Sequence, residues 1–209
     1  MGEEKTLTLM ADAFKELADA INQPDGEDAH LGLRSFSRAC SLVFPLFRCL
    51  GIAFKFAELD YVAKVRDLEE ASKSINFLPV MVDRDIEANC VRIAGSHTRN
   101  LLRVKRGIDM VKVLFEHIIS SEGNSLKDPA LKAYAQVFAP YHGWAIRKAF
   151  GAGMYALPNK LQLLNRLNED ETGSTSIFGE IIITIITAWS SSNLVDVGDG
   201  TMLRRSLEA

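Results

Sequence analysis

Residues 96–121, SHTRNLLRVKRGIDMVKVLFEHIISS, decide the fold of this chain. Their apolar side chains recur at intervals of three and four, which is the period of an α-helix with one buried face. Ser96 stands just before the repeat, where a serine side chain caps a helix N-terminus. The stretch therefore predicts a long helix over residues 97–121. Its apolar side carries Leu101, Val104, Ile108, Val111 and Phe115.

The opposite side of this helix is basic. At about 100° per residue, Arg99, Arg103 and Arg106 fall within about 60° of one another. Three guanidinium groups on one strip repel each other unless an anion lies among them, and the arginine fork matches phosphate oxygens. The periodicity alone fits two interpretations equally, an anion site and a solvated basic face.

The helical period continues on both sides of the long helix, and no alternating apolar run precedes Gly173, so we expect an all-α body. Pro45 must kink or divide one of the predicted helices, because proline lacks the amide donor. In the segment 52–75, the pattern directs Phe56, Leu59, Val62 and Leu68 toward the core. The other predicted helices cover residues 7–22, 33–50, 79–95, 127–140, 141–157 and 158–171.

Composition limits the classes of function. With 209 residues and 47% hydrophobic content, one domain is expected. The 24 Lys plus Arg against 27 Asp plus Glu give a formal charge of -3, so no general positive field attracts nucleic acid. The N-terminal residues lack a basic, then apolar, secretory pattern, and no apolar run approaches the roughly 20 residues of a membrane span. We expect a cytosolic protein with peripheral membrane contact.

The end of the chain has a different composition. Residues 177–189, IFGEIIITIITAW, are rich in β-branched side chains, which favour extended structure over helix. The polar, glycine-containing residues beyond them give the last twenty positions the composition of a disordered terminus. We therefore divide the chain into a main domain, 1–171, and a divergent, partly disordered tail, 172–209.

Two further features are ambiguous by themselves. Asp60 and Lys64 are four residues apart and share a helix face, as ordinary surface ion pairs also do. His142 follows Pro140 at the start of a helix, where a histidine serves as a cap, a surface residue or a ligand contact. The residues alone do not separate these roles.

Three strings carry a family resemblance: residues 40–65, 95–116 and 134–149. They resemble the glycolipid transfer protein family, in its plant ceramide-1-phosphate branch, and the similarity extends over about residues 7–170. The resemblance implies a two-layer sandwich of about seven to eight helices that admits hydrocarbon chains between its layers. After about Glu171 the chain departs from the family pattern of a closing helix. The resemblance also implies a link to programmed cell death in plants.

The resemblance assigns roles to the ambiguous residues. Asp60 and His142 would hold the ceramide amide, which agrees with their chemistry, since a carboxylate accepts hydrogen bonds and an imidazole N–H donates one. Lys64, Arg99 and Arg103 would hold the phosphate. Weaker candidates on the same helix are Lys105 and Arg106.

The same comparison favours phosphate over sugar as the headgroup. The glycolipid branch carries asparagine where this chain has Lys64, lysine where it has Asp67, and a tryptophan platform on the long helix. Here the two tryptophans, Trp144 and Trp189, lie elsewhere. We therefore expect a carrier of ceramide 1-phosphate that needs no cofactor or metal.

Two other functions compete with this interpretation. A phosphate-ester hydrolase is disfavoured, because the four histidines have no metal-ligand spacing and the chain has no GxSxG or glycine-rich phosphate loop. We therefore do not expect an enzyme. The second alternative is a helical adaptor or lipid sensor that binds an anionic membrane surface without transferring lipid. Transfer between vesicles distinguishes it from a carrier.

Overall fold

The computed structural model describes residues 5–21, 31–190, 194–196 and 202–204. Those ranges form ten α-helices and one pair of short antiparallel strands. The helices are α1 (Thr6–Ile21), α2 (Leu33–Ser41), α3 (Phe44–Leu50), α4 (Lys55–Ala71), α5 (Leu78–Glu87), α6 (His97–Ile119), α7 (Lys127–Val137), α8 (Trp144–Gly153), α9 (Lys160–Arg166) and α10 (Glu171–Ser190). The strands are β1 (Leu194–Asp196) and β2 (Met202–Arg204), and 3-10 turns lie at Ile52–Phe54, Ala139–Tyr141 and Met154–Ala156.

The central helix is α6, which packs against α4, α5, α7 and α10. The Ser96 hydroxyl accepts a hydrogen bond from the backbone N–H of Arg99 at 3.3 Å, so the predicted cap is confirmed. Burial of a large apolar side chain stabilises a fold by about 1.5–3 kcal/mol, and α6 buries a full stripe. All five residues predicted for its apolar side are at most 3% exposed: Leu101, Val104, Ile108, Val111 and Phe115.

Prolines determine where two helices begin. Pro45 lies in the first turn of α3 and divides the predicted segment into α2 and α3. Pro79 similarly lies in the first turn of α5. This helix ends at Glu87 and not at the predicted Gly95, because Asn89 has a φ of 52°, in the left-handed region that a right-handed helix excludes. Such divisions give the described chain more helices than the seven to eight predicted.

The predicted buried face of α4 is partly wrong. Phe56 and Leu59 are 86% and 55% exposed, whereas Leu68 is buried as expected. The helix is rotated so that Glu58 faces inward, where Arg48 and Lys55 contact its carboxylate at 2.9 and 3.0 Å. A buried carboxylate with two cationic partners avoids most of the penalty of desolvation. The apolar buried positions of α4 are Tyr61, Val65, Leu68 and Ala71.

The prediction of extended structure for residues 177–189 is wrong, because this segment lies inside α10. Its rows of apolar residues pack on α1 and α6, and the rings of Phe178 and Phe115 lie 4.4 Å apart. Tertiary burial here overrides β propensity, which depends strongly on context. By length and composition α10 could also cross a membrane, but its Phe178 and Ile181 are fully buried against the helical body.

The last twenty residues lie mostly outside the described ranges. Within them, β1 and β2 pair in antiparallel register, Leu194 opposite Arg204 and Asp196 opposite Met202. The division of the chain into residues 1–171 and 172–209 stays a prediction. The prediction of an all-α body is confirmed over the described helices, which share one continuous core from α1 to α10.

Candidate functional site

The site lies where α4 crosses α6, and a glycine makes this crossing close. A Cβ atom added to Gly107 would lie 2.5 Å from Cδ2 and 2.7 Å from Cε2 of Tyr61, closer than real Cβ atoms come to a ring. The Tyr61 hydroxyl donates to the Cys40 carbonyl at 3.2 Å, which fixes the ring from the side of α2. Gly107 therefore determines how near the polar residues of α4 come to those of α6.

Asp60 joins the two helices electrostatically. Its Oδ1 lies 3.4 Å from Lys64 Nζ, one turn along α4, and its Oδ2 lies 3.5 Å from an amino nitrogen of Arg103 on α6. Both contacts are long, and the Asp60 side chain is 50% exposed. Exposed ion pairs of this kind contribute only about 0–1 kcal/mol to stability. The three side chains are therefore free to change partners when a ligand binds.

Arg99 lies one helical turn before Arg103, on the same side of α6. Its guanidinium donates a hydrogen bond to the backbone carbonyl of Arg92 at 2.9 Å. That carbonyl belongs to the loop between α5 and α6. The structure thus places Arg99 beside the cluster but turns its side chain toward the loop and not toward Asp60.

His142 follows the 3-10 turn between α7 and α8. Its Nδ1 lies 2.9 Å from the Tyr134 hydroxyl, and its ring is nearly parallel to that of Phe138, with centroids 5.6 Å apart. Burial lowers the pKa of His142, and the positive charge of Arg103 lowers it further. The imidazole is therefore neutral near pH 7 and lies within electrostatic reach of the Asp60–Lys64–Arg103 cluster.

The two weaker candidates on α6 are engaged elsewhere. The Arg106 guanidinium lies 3.6 Å from the centre of the Tyr141 ring. Lys105 pairs with Asp109 and lies 5.2 Å from the ring centre of Trp189. Cation–π contacts and an ion pair hold these side chains away from Asp60.

The sequence marked Asp67 only as a difference from the glycolipid branch, and in the structure it supports the site. Its Oδ2 accepts a hydrogen bond from Asn100 Nδ2 at 2.8 Å and lies 2.9 Å from His97 Nδ1. These contacts fasten α4 to the first turn of α6, next to Arg99. The spacing of Asp60, Lys64 and Asp67 places all three on one helix face, which is the signal that could have indicated it.

A second carboxylate holds the same end of α6. Asp85 of α5 accepts a hydrogen bond from the backbone N–H of Thr98 at 2.7 Å. Negative charge at a helix N-terminus is favourable, because the first backbone N–H groups lack helical partners. Among the described residues, no group of three or more His, Cys, Asp or Glu side chains is placed to hold a metal ion.

The described structure is that of a helical protein whose Lys64 and Arg103, where α4 crosses α6, could bind an anion. A family model described as glycolipid transfer protein matches residues 31–169. The chain therefore belongs to the glycolipid transfer protein family, and the resemblance found in the sequence is confirmed.

Individual relatives agree with this assignment. Accelerated cell death 11 of Arabidopsis thaliana is 67% identical over 172 residues, covering 82% of each chain. A crystal structure of the D60A mutant of that Arabidopsis protein, complexed with C12 ceramide-1-phosphate, matches with a TM-score of 0.85 at 60% identity. It covers 91% of this chain and 94% of the other. The predicted type of helical fold is thereby confirmed.

A more distant structure extends the fold comparison. Human ceramide-1-phosphate transfer protein, in complex with 12:0 ceramide-1-phosphate, matches with a TM-score of 0.75 and covers 89% of this chain and 92% of the other. At 21% identity this match shows a common fold.

Proposed function

We propose that this protein binds ceramide 1-phosphate and carries it between membranes. The observation that carries the proposal is the cluster of Asp60, Lys64 and Arg103, with neutral His142 nearby. A relative at 60% identity has a solved structure that contains this lipid. By analogy with the name of that relative, we also propose a role in programmed cell death.

The charges of the cluster favour a phosphate headgroup over a neutral sugar. Lys64, Arg99 and Arg103 carry three positive charges, and Asp60 supplies one negative charge. A phosphate monoester carries about -1.5 to -2 charges near pH 7, which is close to the remaining imbalance. Arginine also binds phosphate oxygens through a planar fork, so Arg103 and Arg99 would contribute more than Lys64.

Headgroup binding proceeds by an exchange of partners. The phosphate would draw Lys64 and Arg103 from Asp60, and Arg99 would leave the Arg92 carbonyl for the stronger, charge-assisted bond. Asp60 would then accept hydrogen bonds from the ceramide amide N–H and the neighbouring hydroxyl. His142 would donate to the amide carbonyl. Two residues of opposite hydrogen-bonding character would thus read one amide.

The hydrocarbon chains require an apolar space between the helical layers. Phe36, Val43 and Phe47 are at most 3% exposed in the core of the described structure. We propose that the helices around these side chains separate when lipid enters. Interiors of proteins are close-packed, so a chain of lipid length cannot be accommodated without such movement.

An exposed apolar rim beside the site suits peripheral contact with a membrane. The 3-10 turn at Ile52–Phe54 packs against α8 and against the turn at Met154–Ala156. Around this junction Ile52, Phe56 and Trp144 are each more than two-thirds exposed. Exposed apolar groups of this size mark interaction surfaces, and tryptophan is typical of the membrane–water interface. The protein would work from the cytosol and leave its cargo chemically unchanged.

A transfer assay tests the proposal. Donor vesicles carrying fluorescent ceramide 1-phosphate or a fluorescent glycosylceramide are mixed with acceptor vesicles and the protein. We expect transfer of the phosphate lipid at a much higher rate, and unchanged lipid on chromatography afterwards. Equal rates for both lipids, or a chemically altered product, would contradict the proposal.

The second candidate function is an adaptor that binds anionic membranes without extracting lipid. The exposed rim next to a cationic cluster favours it, because both features suit an anionic surface. Such a protein would sediment with phosphate-containing vesicles but move no lipid between them. The same assay therefore separates the two candidates.

A further inference from the structure

Tyr134 and His142 form a hydrogen bond of ordinary length, and packing holds the tyrosine in place. Tyr134 Oη lies 2.9 Å from His142 Nδ1. The tyrosine is only 5% exposed, and its ring stacks on that of Phe150 with centroids 3.7 Å apart and planes 13° from parallel. Packing thus fixes the hydroxyl where it meets the imidazole. The contact joins the last turn of α7 to a residue near the end of the connection to α8.

The direction of this hydrogen bond follows from the surroundings of the hydroxyl. Within the described residues, His142 is the one hydrogen-bond partner of Tyr134 Oη. If His142 Nδ1 were the donor, the hydroxyl proton would have no partner among the described residues, which is unfavourable for a side chain that is almost wholly buried. Tyr134 therefore donates and Nδ1 accepts. A neutral imidazole whose Nδ1 accepts carries its proton on Nε2.

The charges around the pair agree with this arrangement. The charged group nearest in effect to the imidazole is Arg103 on α6, which also pairs with Asp60 of α4. The corresponding group for the phenol is Arg147 on α8. Burial lowers the pKa of His142, and Arg103 adds to this effect. Burial raises the pKa of Tyr134, against the lowering effect of Arg147. The phenol therefore keeps its proton and the imidazole stays neutral near pH 7.

We propose that Tyr134 is a positioning residue that holds His142 as its Nε2–H tautomer, so that the ring presents a donor to the amide carbonyl of the cargo. The inference rests on the proposed function for the identity of the cargo. The tautomer, however, is a property of the unliganded protein. Tyr134 acts through His142 and needs no contact with lipid. A histidine free to exchange tautomers would present an acceptor for part of the time, and two acceptors repel.

Nitrogen NMR of the unliganded, ¹⁵N-histidine-labelled protein tests the tautomer directly. Tyr134→Phe removes the hydroxyl but keeps the ring that stacks on Phe150. Tyr155→Phe removes a hydroxyl from a ring that is 77% exposed and serves as the matched control. His142→Gln identifies the resonances of His142 among those of the four histidines.

In the parent protein we expect an unprotonated, accepting Nδ1 and a protonated Nε2. In Tyr134→Phe the Nδ1 shift should move toward the average of two exchanging tautomers. The pKa of His142 should rise, because the bond to the neutral form is lost. Tyr155→Phe should behave like the parent. A protonated Nδ1 in the parent, or unchanged shifts and pKa in Tyr134→Phe, would overturn the inference.

Binding of ceramide 1-phosphate provides the second measurement. Loss of one neutral hydrogen bond that orients the donor should weaken binding by about three- to tenfold in Tyr134→Phe. Parent-like affinity in a variant with altered nitrogen shifts would overturn the positioning role. If the parent protein itself binds none of this lipid, the proposed function fails, while the nitrogen shifts still decide the tautomer.

Discussion

Gly107 on α6 lies against the ring of Tyr61 on α4, at a distance that leaves no room for a methyl group. The polar cluster depends on this contact, because Asp60 is the neighbour of Tyr61 on α4 and Arg103 lies one turn from Gly107 on α6. Asp60 Oδ2 and an amino nitrogen of Arg103 are 3.5 Å apart, so a wider crossing would separate them. Gly107 is therefore required by the close approach of the two helices and not by its backbone conformation.

Gly107→Ala should separate α4 from α6. Overpacking at a tight contact costs about 1–3 kcal/mol, which we expect as a loss in the free energy of unfolding measured in urea. Lipid transfer should fall with it, because the two halves of the cluster move apart. Gly179→Ala is the matched control, since a Cβ atom there meets nothing within 4 Å. In α10 that change should stabilise the protein by about 0.5–1 kcal/mol. Equal effects of the two substitutions would refute the close-approach argument.

Asp60→Val should strongly reduce transfer of ceramide 1-phosphate with little effect on folding. The carboxylate is half exposed, so its removal leaves no buried charge without a partner. Losing a charge-assisted hydrogen bond costs about 1.5–3 kcal/mol, or roughly ten- to a hundredfold in affinity. Titration with fluorescent lipid measures this change. Asp12→Asn, at an exposed position on α1, controls for the change in net charge. Near-parental transfer by Asp60→Val would show that the amide contact is assigned incorrectly.

Arg103→Glu should weaken binding of the phosphate lipid far more than simple attachment to vesicles. The change removes a phosphate fork and places a second carboxylate beside Asp60. Arg99→Glu should act in the same direction, and Lys64→Ala should have a smaller effect. Arg34→Glu, exposed on α2, makes the same change of charge away from the site. A uniform loss of vesicle binding without selective loss of cargo would favour the adaptor function.

Acidification should destabilise the protein partly through His142. Burial, with the charge of Arg103, lowers its folded-state pKa below the ordinary value of 6.5, so the unfolded state binds more protons in this range. Stability therefore falls as the pH decreases from about 7 through the folded pKa, and the group has no effect well above 6.5. Urea unfolding between pH 7.5 and 5 measures this slope. His142→Gln should have a shallower slope than the parent, and an identical slope would contradict the lowered pKa.

The helical register of α10 can be tested with two isoleucines two positions apart. In a strand Ile181 and Ile183 would share a face, but in α10 Ile181 is fully buried and Ile183 is 65% exposed. Ile181→Ala should cost about 2–5 kcal/mol in the free energy of unfolding. Ile183→Ala should change it by no more than about 0.5 kcal/mol. Similar losses at both positions would support the extended structure that the sequence suggested.

These outcomes show which features local sequence can predict. The long helix could be recognised because its cap at Ser96 and its apolar stripe are local signals. The inward face of α4 was misassigned because burial of Glu58 depends on Arg48, ten residues away and in another helix. The β-branched side chains of α10 are helical because the segment packs on α1 and α6. Local β propensity carries no information about those contacts.

The candidate site was predictable to a similar degree. The spacing of Asp60 and Lys64 predicted that they share a face of α4, and the periodicity of α6 predicted its arginine strip. In the structure Asp60 contacts Lys64 and Arg103. The contacts of Asp67 with Asn100 and of Tyr134 with His142 join separate elements, so they became visible only in the folded chain. Such supporting contacts orient the residues that meet the ligand.

A crystal structure of this protein with ceramide 1-phosphate would show directly which residues hold the headgroup. We expect the phosphate to lie among Lys64, Arg99 and Arg103, with nitrogen–oxygen distances of about 2.7–3.2 Å. We also expect Asp60 to accept a hydrogen bond from the ceramide amide, and His142 Nε2 to donate one to the amide carbonyl. A phosphate bound elsewhere, for example in the cleft of about 350 Å³ between α6 and α7 that Arg106 and Lys112 line, would contradict this assignment.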